Sequence, residues 1–241
     1  MGSAPLQLIA LDSDYLKSTN RFVRYTESHW RTLHSKRERA LEVMETFAKY
    51  GFEPVLYGSV ARGDVTERSD VDVFLQAINN PSVAETIVER ELGGFVARSV
   101  VQPTPLHTLK GYIYIDELTS VSFTFSEMRR SEIEFYDVAG RVSLSDLRRG
   151  VRVAGMNKDL KVILPVEDGH VEFPADQDHD VAASLIGVDP SVIRERVTVI
   201  RRRRELGRTG LFREIYIDVS EDFGTALMQL MSGGPRRRRL V

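Results

Sequence analysis

The segment that most constrains the fold is EPVLYGSVARGDVTERSDVDVFLQ, residues 53–76. It contains two short apolar runs rich in β-branched residues, and such runs predict buried strands. The first run ends at Gly58-Ser59, and the second opens on Asp70 and Asp72 after the ten residues 60–69. The segment therefore predicts two strands whose polar ends are joined by one short loop.

The polar end of the first strand has the features of a phosphate site. Gly58 carries no Cβ, so the backbone there can approach a ligand closely. Ser59 is predicted to cap a short helix over SVARGD, and a helix N-terminus beside a glycine suits phosphate. Arg62 lies three residues on and is predicted to reach a triphosphate with its forked donors. The alternative is an ordinary Gly-Ser turn without a ligand.

The polar end of the second strand has the features of a metal site. Asp70 and Asp72 alternate along a strand, so both carboxylates are predicted on one face. Two carboxylates so near to each other repel unless a cation lies between them. Oxygen ligands alone favour Mg²⁺, with Mn²⁺ as its substitute, and Mg²⁺ typically takes one or two carboxylates plus substrate phosphates. The alternative is a strand start with a turn-forming Asp.

The stretch GSVARGDVTERSDVDVF resembles the signature of the DNA polymerase beta-like nucleotidyltransferase superfamily, which is Gly-Ser, often Arg-Gly, a short spacer and Asp-x-Asp. The resemblance is strongest to minimal nucleotidyltransferases, and archaeal CCA-adding enzymes are similar in the same stretch. It covers residues 41–125. It implies that an NTP such as ATP binds at Gly58, Ser59 and Arg62, and that the metal ligands include Asp70 and Asp72.

The superfamily usually has a third carboxylate on a later strand, which joins the metal site. Asp116, at the end of GYIYID, is the predicted third catalytic and metal-binding acid, with a simple turn residue as the alternative. The following strand, SVSFTF, offers only hydroxyl groups where an acid is expected. Glu117 and Glu127 are also in range. Without a third acid, the protein could bind nucleotide and yet catalyse poorly.

The order of strand and helix patterns predicts an α+β fold. We expect a small mixed β-sheet nucleotidyltransferase domain flanked by helices, followed by a winged-helix-like C-terminal domain. The predicted boundaries are 1–140 for the nucleotidyltransferase domain (core 26–130), 141–177 for a connecting segment, 178–230 for the winged helix-turn-helix-like domain and 231–241 for a disordered basic tail.

The C-terminal part of the chain is basic. From Ser191 onwards there are 12 Arg against 6 Asp and Glu, a balance of +6. Since the whole chain has a net charge of −2, the first 190 residues carry −8. A helix-turn-helix pattern followed by a wing predicts RNA or DNA contacts. The alternative is a helical hairpin that packs or dimerises. The candidate contacts are Arg194, Arg196, Arg201 and Arg208.

Composition excludes several functional classes. With no cysteine, the chain has neither disulfides nor Cys-based metal sites. We find no signal peptide pattern and no long apolar run, so we expect a cytoplasmic protein without a membrane partner.

The predicted activity is transfer of a nucleoside monophosphate from an NTP to an acceptor hydroxyl on nucleic acid, protein or a small molecule, with release of pyrophosphate. The alternative is a nucleic-acid-binding regulator whose nucleotidyltransferase domain binds NTP without turnover.

Overall fold

The computed structural model describes residues 20–207 and 212–231 and confirms the α+β class. Its helices are α1 (Glu27–Lys49), α2 (Ser59–Arg62), α3 (Pro81–Glu91), α4 (Arg130–Ala139), α5 (Leu144–Arg148), α6 (His179–Ile186), α7 (Pro190–Leu206) and α8 (Phe223–Met231). Its strands are β1 (Arg21–Arg24), β2 (Val55–Tyr57), β3 (Val71–Leu75), β4 (Ala97–Gln102), β5 (Lys110–Tyr114), β6 (Thr119–Thr124), β7 (Arg141–Ser143), β8 (Gly155–Met156), β9 (Lys161–Val166), β10 (Gly169–Pro174) and β11 (Arg213–Tyr216). None of these helices is long and apolar enough to cross a membrane.

The chain forms two compact units, and each is built from separate stretches of sequence. The first unit comprises Met1–Glu38, Tyr57–Ser69 and Arg130–Thr209. The second unit comprises Arg39–Leu56, Asp70–Arg129 and Gly210–Val241. The unit that holds Asp70 and Asp72 also contains residues 212–231.

The second unit is built on a mixed sheet whose strands lie in the order β11-β4-β5-β6-β3-β2. Strand β3 runs parallel to β6, whereas the pairs β5–β6, β4–β5 and β11–β4 are antiparallel. Because side chains alternate along strands, residues in register share one face. One such row is Val73, Val121 and Ile113, all fully buried. The neighbouring row on the opposite face is Asp72, Ser120 and Tyr114.

The C-terminal stretch completes this sheet. Strand β11, which we expected to form a wing, pairs with β4 with Tyr216 opposite Ser99. In α8, the fully buried ring of Phe223 lies 5.1 Å from the ring of Phe123. Strand β4 and helix α8 were not predicted from the sequence. A winged-helix domain is therefore not shown for residues 178–230, since its expected wing belongs to another sheet.

The first unit contains an antiparallel sheet in the order β1-β10-β9-β8. Residues 141–177, predicted as a connecting segment, supply most of it. Strands β9 and β10 form a hairpin in which Val166 pairs with Gly169, so the acidic residues Glu167 and Asp168 lie in the turn. Buried Val162, Leu164 and Phe173 belong to one core with residues of α6 and α7. The acidic, turn-rich stretch of the predicted connecting segment therefore contains the tight turn of this hairpin.

The two predicted helices near the C-terminus are present as α6 and α7. Asp178 caps α6 through the Asp180 and Val181 amides, and Gly187 ends it in the left-handed conformation. Asp189 caps α7, with Pro190 in its first turn. The predicted tail, 231–241, lies outside the described residues apart from Met231, the last residue of α8.

Candidate active site

Asp72 lies in β3 of the second unit and is held from the neighbouring strand. It is half-buried and stands in register with Ser120 of β6. The Ser120 hydroxyl donates a hydrogen bond to Asp72 Oδ1 over 2.9 Å. Ser120 itself is only 8% exposed. A buried donor in a paired strand has little freedom to move, so this contact fixes the orientation of the Asp72 carboxylate.

Asp70 precedes the first residue of β3 and is exposed. The amide of Val71 donates to the Leu118 carbonyl over 2.7 Å, which ties the start of β3 to the β5–β6 turn. Two residues along an extended chain span roughly 6.6 Å. The start of β3 therefore carries one exposed and one half-buried carboxylate, those of Asp70 and Asp72.

This donor set fits a hard divalent cation that is also held by a substrate. Mg²⁺ is usually held by one or two carboxylates, with substrate phosphates and water as the remaining ligands. Across residues 20–207 and 212–231, no group of three or more His, Cys, Asp or Glu side chains could hold a metal ion. Two carboxylates at the start of β3 are therefore consistent with Mg²⁺ bound as its nucleotide complex, and a complete protein cage is not formed.

Asp116, the predicted third acid, lies in the turn after β5 and has structural partners. Its Oδ1 accepts from the Leu118 amide over 2.9 Å, and its Oδ2 accepts from Arg39 Nη2 over 3.0 Å. Burial alone would raise the pKa of Asp116, but the hydrogen bonds from Leu118, Thr119 and Arg39 outweigh it and hold that pKa below its ordinary value. Asp116 does not join Asp70 and Asp72 in a three-acid group, so the described contacts favour the turn alternative.

The predicted phosphate loop lies in the first unit. Gly58 has φ 88°, a conformation that side-chain-bearing residues rarely adopt, and its amide donates to the Gly140 carbonyl over 2.9 Å. Gly58 is the N-cap of α2, and Ser59 is the first helical residue. The prediction that Ser59 caps the helix was therefore wrong by one position. The backbone amides of Ser59 and Val60 belong to the first turn, which has no intrahelical acceptor for them.

Arg62 was predicted to reach phosphate, but its guanidinium has other partners in the structure. Its Nε and Nη2 lie 2.9 and 3.0 Å from the two Asp64 carboxylate oxygens. Its Nη1 donates to the Ala139 carbonyl. Only 6% of the Arg62 side chain is exposed. A Cβ at Gly140 would lie 2.7 Å from Arg62 Cγ, so glycine is needed for this packing. Arg62 therefore stabilises the loop from its buried side.

Two tyrosines extend the face that carries Asp72. Tyr114 is the β5 partner of Ser120, and its ring stacks on that of Tyr112 with centroids 6.0 Å apart. Burial, then the neighbouring Tyr114 and Asp72, raises the pKa of Tyr112. Alternation along the strand GYIYID predicts that the two tyrosines share a face. The sequence does not predict that Ser120 lies between Tyr114 and Asp72, because strand register is not written in it.

Three of the four predicted nucleic-acid contacts lie on α7, and their surroundings differ. Arg194 pairs with Asp180 at 3.5 Å, and Arg201 pairs with Asp176 at 2.9 Å. Arg196 lies over the Phe135 ring at 4.6 Å. Burial, followed by repulsion from Arg203, lowers the pKa of Arg196 to about 10. Arg208 lies outside the described residues.

Sequence comparison supports the superfamily resemblance. Residues 37–107 match the family model described as a nucleotidyltransferase domain. That stretch includes the Gly58-Ser59 loop and both Asp70 and Asp72, and it ends before Asp116. A domain of this kind supports a transferase and suggests transfer of a nucleoside monophosphate from an NTP in general. No curated protein matches the chain.

Proposed function

We propose that the protein is a divalent-metal-dependent nucleotidyltransferase that moves a nucleoside monophosphate from an NTP to an acceptor hydroxyl. The observation that carries the proposal is the pair Asp70 and Asp72 at the start of β3, inside the stretch that matches a nucleotidyltransferase domain. In the reaction, the acceptor oxygen bonds to the α-phosphorus, and the bond from that phosphorus to the leaving oxygen breaks. Pyrophosphate leaves, and the proton of the acceptor hydroxyl passes to solvent water.

Asp70 and Asp72 are the residues that would hold the cation, Mg²⁺ or Mn²⁺. Such an ion neutralises charge on phosphate oxygens and orients the triphosphate. Asp72 enters the reaction already oriented by Ser120. Asp70 is exposed, so it can adjust to the substrate.

Gly58 and Ser59 would bind phosphate through the backbone of their loop. The left-handed conformation of Gly58 and its hydrogen bond to Gly140 fix the start of α2 before substrate arrives. Arg62 contributes from within by holding Asp64 and the Ala139 carbonyl. Its predicted role as a phosphate contact thus becomes, in this proposal, a positioning role.

For the acceptor, the basic helix α7 favours nucleic acid. Within the described residues, Arg202 and Arg203 are exposed and have no ion-pair or hydrogen-bond partner, unlike Arg194 and Arg201. Unpaired exposed guanidinium groups suit phosphate backbones. A protein or small-molecule hydroxyl remains the competing acceptor.

A second candidate function is an NTP-binding regulator without turnover. The engagement of Asp116 with Arg39 favours it, because this acid is then not available as a base or third metal ligand. Such a protein would bind NTP and metal and label no acceptor.

One assay separates the two functions. The full chain is incubated with each α-labelled NTP and Mg²⁺ in the presence of cellular RNA, cellular protein or a panel of small hydroxyl compounds. Asp70→Asn and Asp72→Asn serve as inactive controls, and Ser122→Ala serves as a control in the same sheet. Label transfer that both aspartate variants abolish supports the enzyme. Nucleotide binding without transfer to any acceptor supports the regulator.

A further inference from the structure

The strand that pairs with β3 supplies a hydroxyl group where the Asp72 carboxylate lies. Ser120 is the register partner of Asp72, and its Oγ is 2.9 Å from Asp72 Oδ1. The next residue of β6 on the same face is Ser122, whose Oγ instead donates to the Val73 carbonyl over 3.4 Å. The whole strand, TSVSFT, contains no acid and is buried at every position.

Strand β6 therefore orients the Asp72 carboxylate through Ser120 and contributes no negative charge to the site. A neutral hydroxyl can hold one carboxylate oxygen in place, but it does not increase the negative charge that attracts a cation. Mg²⁺ demands near-octahedral geometry and loses its water reluctantly, so two carboxylates alone bind it weakly. Phosphate oxygens of a nucleotide would supply the missing charge and ligands.

We propose that Ser120 is the positioning residue of Asp72, and that this site takes up its divalent cation together with a nucleoside triphosphate and not before it. The inference rests on the proposed function, since it assigns the metal to Asp70 and Asp72. In this arrangement, phosphate oxygens of the nucleotide complete the set of metal ligands. The cation therefore binds only when the nucleotide is present.

The substitution Ser120→Asp tests this directly. A carboxylate at position 120 would face Asp72 across the parallel pair, where two like charges repel without a cation. The variant should bind Mn²⁺ in the absence of nucleotide, and Mn²⁺ alone should raise its melting temperature. Mn²⁺ alone should leave the melting temperature of the wild-type chain unchanged.

Substitutions that remove or keep the hydroxyl complete the design. Mn²⁺ affinity is measured by water-proton relaxation in the full chain, with and without a non-hydrolysable ATP analogue. With the analogue, Ser120→Ala should weaken Mn²⁺ binding by about tenfold, as is typical when a partner of a metal ligand is removed. Ser120→Thr, which keeps the hydroxyl, should retain the affinity. Ser122→Ala should retain it as well, because Ser122 bonds to backbone.

Three results would overturn the inference: equal Mn²⁺ affinity in the wild type and Ser120→Ala, tight Mn²⁺ binding by the wild type without nucleotide, or no nucleotide-free binding by Ser120→Asp. Failure of the proposed function looks different. In that case, the metal affinities follow the predicted order, but the wild-type chain labels no acceptor.

Discussion

Arg39 Nη2 lies 3.0 Å from Asp116 Oδ2, and this ion pair joins helix α1 to the turn between β5 and β6. The Leu118 amide holds the other carboxylate oxygen. An acid with these partners stabilises a turn. The relationship separates Asp116 from Asp70 and Asp72, which sequence reasoning had grouped together.

Replacing Asp116 with Asn should therefore affect stability more than catalysis. We expect the free energy of unfolding to fall by about 1 kcal/mol at neutral pH, because the Asp116 side chain is 47% exposed and solvent screens the pair. NMP transfer should persist in this variant, whereas Asp72→Asn should abolish it. Urea unfolding and the transfer assay, run on both variants, measure the two effects. Loss of transfer in Asp116→Asn with unchanged stability would restore Asp116 to the metal site.

The same carboxylate predicts a pH dependence. The folded-state pKa of Asp116 lies below its unfolded value, so its stabilisation is fully present above the unfolded pKa. It is lost as pH falls through the lower, folded pKa. The stability difference between the wild type and Asp116→Asn should therefore be constant near neutral pH and shrink below about pH 4. A difference that grows on acidification would contradict this assignment.

Substitution of Arg62 tests whether this arginine positions the loop or binds phosphate. Removing it leaves the Asp64 carboxylate, whose side chain is 11% exposed, without its partner. Loss of one member of a buried pair typically costs about 3–5 kcal/mol. Arg62→Ala should therefore lower the melting temperature, and the double variant with Asp64→Ala should recover part of the loss. If Arg62 instead binds phosphate, its removal would raise KM for NTP and leave the melting temperature unchanged.

The sequence was sufficient for local structure near the motif. The spacing of apolar residues over 26–50 predicts a long amphipathic helix, which the structure forms as α1. The strands around residues 55–57 and 71–75 are also present. These elements follow from apolar periodicity and from stop signals such as Gly51, which takes a left-handed conformation at φ 82°. The role of Asp70 and Asp72 as metal ligands stays a prediction.

The remaining features depend on long-range pairing, which a single sequence does not encode. The hydrogen bond of Ser120 to Asp72 joins residues 48 positions apart, and that of Arg39 to Asp116 spans 77. Strand β11 resembles a wing locally, yet it pairs with β4 more than a hundred residues earlier. The packing of Arg62 against Ala139 and Gly140 is likewise long-range, since 77 positions separate Arg62 from Ala139.

The C-terminal helix should prove to be part of the sheet unit. Phe223 is fully buried, whereas Met228 in the same helix is 66% exposed. Phe223→Ala should cost about 3–5 kcal/mol and should speed amide hydrogen exchange in β5 and β6. Met228→Ala is the matched control and should change stability by less than about 0.5 kcal/mol. Exchange in β5 and β6 that stays unchanged in Phe223→Ala would indicate a separable C-terminal module.

Nucleic-acid binding by α7 should depend on its unpaired arginines. Arg202→Ala with Arg203→Ala should weaken RNA binding and reduce the slope of log affinity against log salt concentration, by up to about 0.9 for each phosphate that is no longer neutralised. Arg194→Ala with Arg201→Ala removes the same charge from residues engaged with Asp180 and Asp176, and it should have the smaller effect. Salt-independent binding, or none, would leave α7 with a packing role only.

The position of the label in the product tests the central claim most directly. The full chain is supplied with Mg²⁺, the acceptor and one NTP, labelled in parallel reactions at the α- or the γ-phosphate. A nucleotidyltransferase places only the α-label on the acceptor and releases one pyrophosphate per transfer, and Asp72→Asn abolishes both signals. Transfer of the γ-label, or α-label transfer that survives Asp72→Asn, would contradict the account.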